Sequence, residues 1–172
     1  ALNCKANSTI SHLWDDVWIM PSPGDSGNAL GAALAQRNEW VEWKHPFLGY
    51  NINRPYPVKD IVYELSKNKI CGVANGRAEF GPRALGHRSL LADPRGPGIK
   101  DQVNSIKKRQ KFRPFAPAIL EEYLEEYFTI PTKKSPYMQF VAEAKMKTKM
   151  NFPAIIHADG TARVQTVSKN DN

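Results

Sequence analysis

One short segment limits the possible folds of this chain most, and it spans residues 76–89 with the sequence "GRAEFGPRALGHRS". Three glycines and a proline disfavour both a helix and a regular strand, so we predict a loop here. The loop carries Arg77, Arg83 and Arg88, and Glu79 is its one acid. An arginine keeps its charge in a protein and presents a planar fork of donors that fits phosphate or carboxylate. The segment is therefore predicted to enclose an anion.

A solvated arrangement is the alternative for these three arginines. In that arrangement the side chains point apart into water and form ion pairs with Glu79, Asp93 and Glu121. The glycines have no role in it, since exposed charged residues need no special backbone conformation. We therefore favour the anion site.

A second basic cluster follows within residues 106–117, "IKKRQKFRPFAP". Charge runs are usually solvated, and we expect this of Lys108 and Lys111. Lys107 and Arg109 are two residues apart, so on an extended segment they would share one face. Two basic clusters exceed what a single phosphate requires. They favour a phosphate with an attached leaving group, or two phosphoryl groups.

The composition is that of an ordinary globular protein, with 172 residues, 41% hydrophobic and 24% charged. The net charge of +7 favours anionic partners, and a basic RNA-binding module is the rival to a small-molecule enzyme. Against RNA, the arginines lie in glycine loops rather than along a helix face. Cys4 and Cys71 are predicted to be free thiols of a reducing compartment, and no apolar run is long enough for a membrane helix. We expect a cytoplasmic protein without a membrane partner.

The order of predicted elements indicates an α/β or α+β fold, with a linker and domain boundary at 44–57. Helices are predicted at 28–37, 58–69, 96–110 and 121–128. Strands are predicted at 17–20, 70–76, 89–93, 115–120, 137–145 and 161–167. The turn "PSPGDSG" at 21–27 precedes the first helix, with Asp25 or Ser26 placed to cap it.

Several phrases in this order resemble the O-carbamoyltransferases of antibiotic and nodulation-factor biosynthesis. They are "ALNCKAN", "PSPGDSGNALGAAL", "GRAEFGPRALGHRSLLADPR", "IKKRQKFRPFAPAIL", "SPYM" and "HADGTARVQTV". The resemblance implies that residues 1–43 are the tail of an ASKHA-type domain like the threonylcarbamoyl transferase of tRNA modification. It implies that residues 58–172 form a YrdC-like mixed-sheet domain, truncated at its C-terminal end.

The resemblance also implies an activity. The YrdC-like domain would convert carbamoyl phosphate and ATP, with Mg²⁺ accompanying the ATP, to carbamoyl-adenylate. The large domain, with an iron-type metal, would pass the carbamoyl group to a hydroxyl of a natural product or sugar. The alternatives left open are the RNA-binding module and a purely structural partner without chemistry. A homodimer is also left open.

The resemblance assigns roles to individual residues. Asn3 matches an Asn that contacts nucleotide, and Asp25 matches the last metal ligand of the first domain. Lys107 and Arg109 match the Lys-x-Arg pair that holds triphosphate and anionic substrate. We therefore predict catalytic roles for Arg77, Arg83, Lys107 and Arg109, and substrate or nucleotide binding by Asn3, Arg88, Ser89 and Arg113.

Two departures limit the resemblance. The paired histidines that complete the metal site do not appear, so Asp25 is expected to bind metal only in the full-length protein. The expected Asn-Thr-Ser-Phe-Asn-like segment after "DGTARVQTV" does not appear either. We therefore expect the chain to be a piece of a larger protein and to be inactive in isolation.

Overall fold

The computed structural model describes residues 1–170, which form six α-helices and nine short strands. The helices are α1 (Cys4–Ile10), α2 (Asp25–Arg37), α3 (Val58–Asn68), α4 (Ile99–Ile106), α5 (Leu124–Tyr127) and α6 (Met146–Asn151). The strands are β1 (Asn51–Ile52), β2 (Ile70–Ala74), β3 (Gly76–Arg77), β4 (Arg88–Ala92), β5 (Ala118–Leu120), β6 (Phe128–Thr129), β7 (Val141–Ala144), β8 (Thr161–Arg163) and β9 (Gln165–Val167). The predicted α/β class is confirmed. No helix within these residues has the length and apolar character needed to cross a membrane.

The strands form four small sheets of mixed direction. β1 pairs with β3 and β2 with β4, both antiparallel, and Val73 lies opposite Ser89. β5 pairs with β9 in parallel, and β6, β7 and β8 form an antiparallel sheet of three strands. Val164 is 0% exposed and separates β8 from β9. The single strand predicted at 161–167 therefore serves two sheets.

Two apolar clusters hold these elements together. The larger one packs α5 and the three-stranded sheet around Phe128, Ala162 and Val164. The smaller one consists of Ile99, Val103 and Ala154, with side chains of β2 and β4 packed against it. β4 begins at the end of residues 76–89, here called the arginine loop, and α4 leads into the second basic cluster. This smaller core therefore anchors both basic segments.

The predicted elements are confirmed at α2, α3, α4, β2, β4, β5 and β7, with shifted ends. The strand predicted at 17–20 is wrong. The carbonyls of Ile19 and Met20 accept hydrogen bonds from Gln139 Nε2 at 2.8 and 3.0 Å instead of pairing with a strand. The helix predicted at 121–128 is wrong as one element, since a 3-10 turn, α5 and β6 share it. Helix α6 was not predicted.

The predicted cap of α2 is also wrong. Asp25 is the first helical residue, and the capping residue Gly24 makes no side-chain hydrogen bond to the helix. The Ser26 hydroxyl lies 2.6 Å from the Ser22 hydroxyl. The turn itself forms as predicted, since residues 21–24 are irregular.

Helix α1 packs on the second half of the chain rather than apart from it. Asn7 Nδ2 donates to the Gln139 carbonyl at 2.9 Å, and the Ser8 hydroxyl accepts from the Val141 amide at 2.9 Å. Lys5 forms a 2.9 Å ion pair with Asp159. Residues near the start of the chain therefore lie beside β7 and the turn before β8. The domain boundaries at 43 and 58 stay predictions.

Gly27 is the tightest point of the turn before α2. A Cβ atom there would lie 1.8 Å from the Ser22 carbonyl oxygen, whereas a Cβ at Gly31 of the same helix would meet nothing within 4 Å. We expect Gly27→Ala to lower the free energy of unfolding by about 1–3 kcal/mol through overpacking. Gly31→Ala is the matched control and should raise it by about 0.5–1 kcal/mol through helix propensity. Urea unfolding of both variants checks this, and equal effects would contradict the close contact.

Candidate anion-binding site

Arg163 is the centre of the candidate site. It ends β8 between Ala162 and Val164, both 0% exposed. Its Nε atom is buried and has no hydrogen-bond partner among residues 1–170. Burial lowers the pKa of Arg163 most, and the positive charges of other arginines lower it further. Those arginines are Arg83, Arg109 and Arg113.

Arg83 lies on the predicted loop, between β3 and β4. Its Nε atom is likewise buried without a hydrogen-bond partner in the described part of the chain. Buried N–H groups without partners are costly, and such donors are satisfied when a ligand, ion or water binds. Two orphaned guanidinium donors from distant segments therefore indicate a place where an anion fits.

Asn104, which is 0% exposed, shapes the second basic segment. Its Nδ2 donates to the carbonyls of Lys111 at 3.2 Å and Arg113 at 3.0 Å. Its Oδ1 accepts from Arg109 Nε. One buried amide thus folds residues 104–113 into a compact loop.

Arg109 is held on three sides. Besides its bond to Asn104, its Nη2 donates to the Pro114 carbonyl at 3.1 Å. Its guanidinium lies over the Phe115 ring at 4.3 Å from the centroid, which is a cation–π contact. Burial and then the charge of Arg113 lower the pKa of Arg109. The guanidinium is therefore fixed in orientation while its charge remains close to Arg113.

Lys107 and Arg109 border the same hollow, but not through the extended backbone that was predicted. The segment is a turn rather than extended, and Lys108 has a positive φ of 49°. Lys107 is exposed at the end of α4, whereas Arg109 is half-buried. The turn encloses an open hollow of about 700 Å³. Its lining is Asn104, Ser105, Lys107, Lys108, Arg109, Gln110, Lys111 and Arg113.

No carboxylate neutralises the arginine cluster, by which we mean Arg83, Arg109, Arg113 and Arg163. None of the ion pairs within residues 1–170 includes any of the four. Asp93 pairs with Lys69 and Arg95 instead, at 3.1 and 2.8 Å. Arg77, Arg83 and Arg88 are absent from these ion pairs too, so the pairs with Asp93, Glu79 and Glu121 that the solvated arrangement requires do not form within residues 1–170. Like charges this close repel one another, and a bound anion relieves that repulsion.

Arg77 and Arg88 are not among the charges that lower the pKa of Arg163. Arg77 is exposed, and its Nη2 lies 3.5 Å from the Leu48 carbonyl oxygen. Arg88 instead donates at 2.7–3.2 Å to four backbone carbonyls, those of Tyr50, Asn75, Gly76 and His87. The structure therefore shows Arg88 bracing the loop.

The other predicted residues lie elsewhere. The Ser89 hydroxyl accepts from the Gly86 amide at 2.9 Å, within the loop. Asn3 caps α1, where its Oδ1 accepts from the Ala6 amide at 3.1 Å. Its neighbour Cys4 interacts electrostatically with Arg163, so the start of α1 approaches the arginine cluster.

Asp25 does not form a metal site with other described residues. It is exposed at the start of α2, and residues 1–170 contain no group of three or more His, Cys, Asp or Glu side chains that could hold a metal ion. These side chains do not fit an iron-type metal by themselves.

Three residues near the site were not predicted as site residues from the sequence. For Arg163 the sequence did contain a sign of its role, since it is the one charged side chain in the strand pattern "TARVQTV". Asn104 had none, because only the fold shows that it is buried. His157 hydrogen-bonds Thr161 Oγ1 through Nδ1 at 3.1 Å, and its Nε2 is buried without a partner in the described chain. Burial lowers its pKa most, and the charges of Arg163 and Lys5 add to this, so the neutral form is favoured.

The fold and site together define an α/β module with a hollow lined by basic residues of the second cluster and two further arginines, Arg83 and Arg163, whose buried Nε atoms lack partners among residues 1–170. Residues 62–172 match the family model "carbamoyltransferase C-terminus", and residues 1–34 match "carbamoyltransferase N-terminus". The chain belongs to the carbamoyltransferase family, and the resemblance described above is confirmed.

Similar proteins come from bacteria and an archaeon. Nodulation protein U of Sinorhizobium fredii is 40% identical over 186 residues, which cover 98% of this chain and 33% of that protein. Nodulation protein NolO of Bradyrhizobium diazoefficiens is 38% identical over 204 residues, which cover 100% of this chain and 37% of that protein. An uncharacterised protein of Methanocaldococcus jannaschii is 35% identical over 189 residues, which cover 92% of this chain and 31% of that protein. The chain spans about a third of the length of these curated relatives.

Replacing Asn104 tests whether it holds the second basic segment. Asn104→Leu leaves two carbonyls and Arg109 Nε without their partner, so we expect the free energy of unfolding to fall by about 1–3 kcal/mol. Amide hydrogen exchange at residues 107–113 should accelerate. Asn28→Leu, at an exposed position of α2, is the control and should change stability by less than about 0.5 kcal/mol. Unchanged exchange at 107–113 would show that Asn104 does not organise the loop.

Proposed function

We propose that this chain is the part of an ATP-dependent O-carbamoyltransferase that binds carbamoyl phosphate and ATP and forms carbamoyl-adenylate. The observation that carries the proposal is the arginine cluster without a carboxylate partner. Membership of the carbamoyltransferase family supports carbamoyl transfer as the chemistry.

The charge of the substrates fits that of the site. A phosphate monoester carries about −1.5 to −2 at neutral pH, and a triphosphate carries more. Two such anions repel each other in water, so a site that joins them must supply several fixed cations. Arginine forks suit this role because they bind phosphate oxygens in pairs and never lose their proton. Mg²⁺ bound to the ATP would neutralise part of the remaining charge.

The atoms balance in two steps. Water cleaves carbamoyl phosphate to phosphate and carbamate. A carbamate oxygen then bonds to the α-phosphorus of ATP, and the bond from that phosphorus to the bridging oxygen breaks to release pyrophosphate. Negative charge accumulates on the phosphoryl oxygens during both steps, and pre-oriented cations stabilise it.

The residues take roles that follow from their surroundings. Arg83 and Arg163 would donate their unpaired Nε groups to the phosphoryl oxygens. Arg109, fixed by Asn104 and Phe115, would present its remaining donors in one orientation. Exposed Lys107 and Arg113 would hold the triphosphate at the hollow of residues 104–113. 

Three predicted residues would act around that site. We propose that Arg88 and Ser89 shape the loop that presents Arg83, because their polar groups already bond the backbone within it, at Gly76, Gly86 and His87. Arg77 is exposed at the start of that loop and would guide the anionic substrates inward.

The remaining steps belong to the full-length protein. There Asn3 would contact nucleotide and Asp25 would join the other ligands of an iron-type metal. The carbamoyl group would pass to a hydroxyl of a natural product, in antibiotic or nodulation-factor biosynthesis, or of a sugar. We place the reaction in the cytoplasm, where ATP is made and where the unpaired Cys4 and Cys71 stay reduced.

Removing single arginines in the full-length protein tests the function. Arg83→Ala and Arg163→Ala should each lower kcat/KM for carbamoyl phosphate by about 100-fold, as expected when a pre-oriented donor to a developing charge is lost. The measurement is ATP- and carbamoyl-phosphate-dependent release of pyrophosphate. Arg37→Ala is the control, since Arg37 pairs with Glu39 on α2. Near-normal turnover of both site variants would contradict the proposal.

The RNA-binding alternative predicts a different result. A polyanion neutralises the exposed lysines, so its affinity should fall steeply with salt, by about 0.9 in log K per contact and per log unit of salt. A filter-binding titration of the same protein against double-stranded RNA measures this. Tight, salt-sensitive binding that carbamoyl phosphate does not displace would favour the RNA-binding module.

A further inference from the structure

Glu79 lies within the arginine loop and forms no ion pair with an arginine in the described residues. Its Oε1 instead accepts three backbone hydrogen bonds from the far end of the loop. The donors are the amides of Leu85 at 2.7 Å, His87 at 2.9 Å and Arg88 at 3.1 Å. The acid therefore binds the loop backbone and leaves the arginines unneutralised.

The charge of Glu79 makes this anchor strong. Burial raises the pKa of its carboxyl, but the bonds from backbone N–H groups outweigh burial, so the pKa lies below the usual value. The carboxylate is thus ionised at neutral pH, and hydrogen bonds to an ionised acceptor are about twice as strong as neutral ones. The loop it closes turns at Gly81 and Gly86, where φ is 137° and 118°.

The same loop is tied to β9, the strand that follows Arg163 along the chain. The carbonyl of Leu85 accepts from Gln165 Nε2 at 3.1 Å, and both residues are buried. Gln165 follows Arg163 by two residues, and its backbone N–H donates to the Pro117 carbonyl at 2.9 Å. A continuous path of hydrogen bonds therefore runs from Glu79 through Leu85 to Gln165.

We propose that Glu79 and Gln165 are positioning residues that hold Arg83 beside Arg163. The inference rests on the proposed function, since it takes carbamoyl phosphate as the anion that the two arginines bind. Glu79 fixes the loop on which Arg83 lies, and Gln165 fixes that loop to the start of β9, two residues after Arg163. Neither side chain touches the substrate.

Two other roles for Glu79 fit the structure less well. A general base works best with a pKa near the operating pH, whereas backbone hydrogen bonds lower the pKa of Glu79 below its usual value. A carboxylate that neutralised the arginines would form ion pairs with them, and none occurs in the described chain. Positioning accounts for both observations.

The test uses a double-mutant cycle in the full-length protein. Glu79→Gln weakens the three bonds, and Gln165→Met removes the donor at nearly constant volume. Each should lower kcat/KM for carbamoyl phosphate by about tenfold in the pyrophosphate-release assay, as for the loss of one charge-assisted bond. In an Arg83→Ala background each should have almost no further effect, because a positioning residue acts only through the group that it positions.

The controls separate positioning from general stability. Glu143→Gln and Gln36→Met, at exposed positions of β7 and α2, should leave kcat/KM unchanged. A tenfold loss from Glu79→Gln in both backgrounds would mean a purely structural role and would overturn the inference. So would wild-type values for both Glu79→Gln and Gln165→Met while Arg83→Ala is impaired.

The turnover of the arginine variants shows whether the positioning role or the proposed function itself has failed. If Arg83→Ala and Arg163→Ala both retain normal turnover, the proposed function fails and this inference fails with it. If Arg83→Ala alone retains normal turnover, only this inference fails. Thermal unfolding of every variant shows which ones fold. Should Gln165→Met not fold, Glu79→Gln alone decides the result, because it preserves the size of the side chain.

Discussion

Mutual repulsion among four guanidinium groups is the constraint on which the rest of this structure depends. Arg83, Arg109 and Arg113 all lower the pKa of Arg163, and none of the four has a carboxylate partner in the described chain. Bringing like charges together costs free energy, so something else must hold them. Such an arrangement is tolerated where the gain comes from binding an anion.

The arginines, and the loops that carry them, are held in place by groups that do not reduce the positive charge. Asn104 is neutral, Phe115 offers a ring face, and Glu79 directs its charge to backbone amides. Arg88 shows the contrast, because its donors are used on four carbonyls and it acts as a brace. Two arginines of one loop thus differ in role according to whether the backbone or a ligand satisfies them.

The sequence predicted the parts that local chemistry determines. Glycines and Pro82 fix the loop at 76–89, and apolar spacing fixes α3 and α4. It failed where tertiary contacts decide. The buried Val164 breaks one strand pattern into β8 and β9, and the positive φ of Lys108 turns a segment expected to be extended. Arg163 was not predicted as a site residue. The alternation of apolar and polar residues predicts its strand, but not the charged residues that the fold places near it.

The two matched regions of the chain meet where α1 packs on β7. Helix α1 lies in the region that matches the N-terminal family model, yet it packs on β7 through Asn7 and Ser8. Its Cys4 is close enough to Arg163 to affect the pKa of that arginine. The first region is therefore held against the second by hydrogen bonds from α1 to β7 and its neighbour Gln139, so the two regions pack on each other rather than lie apart.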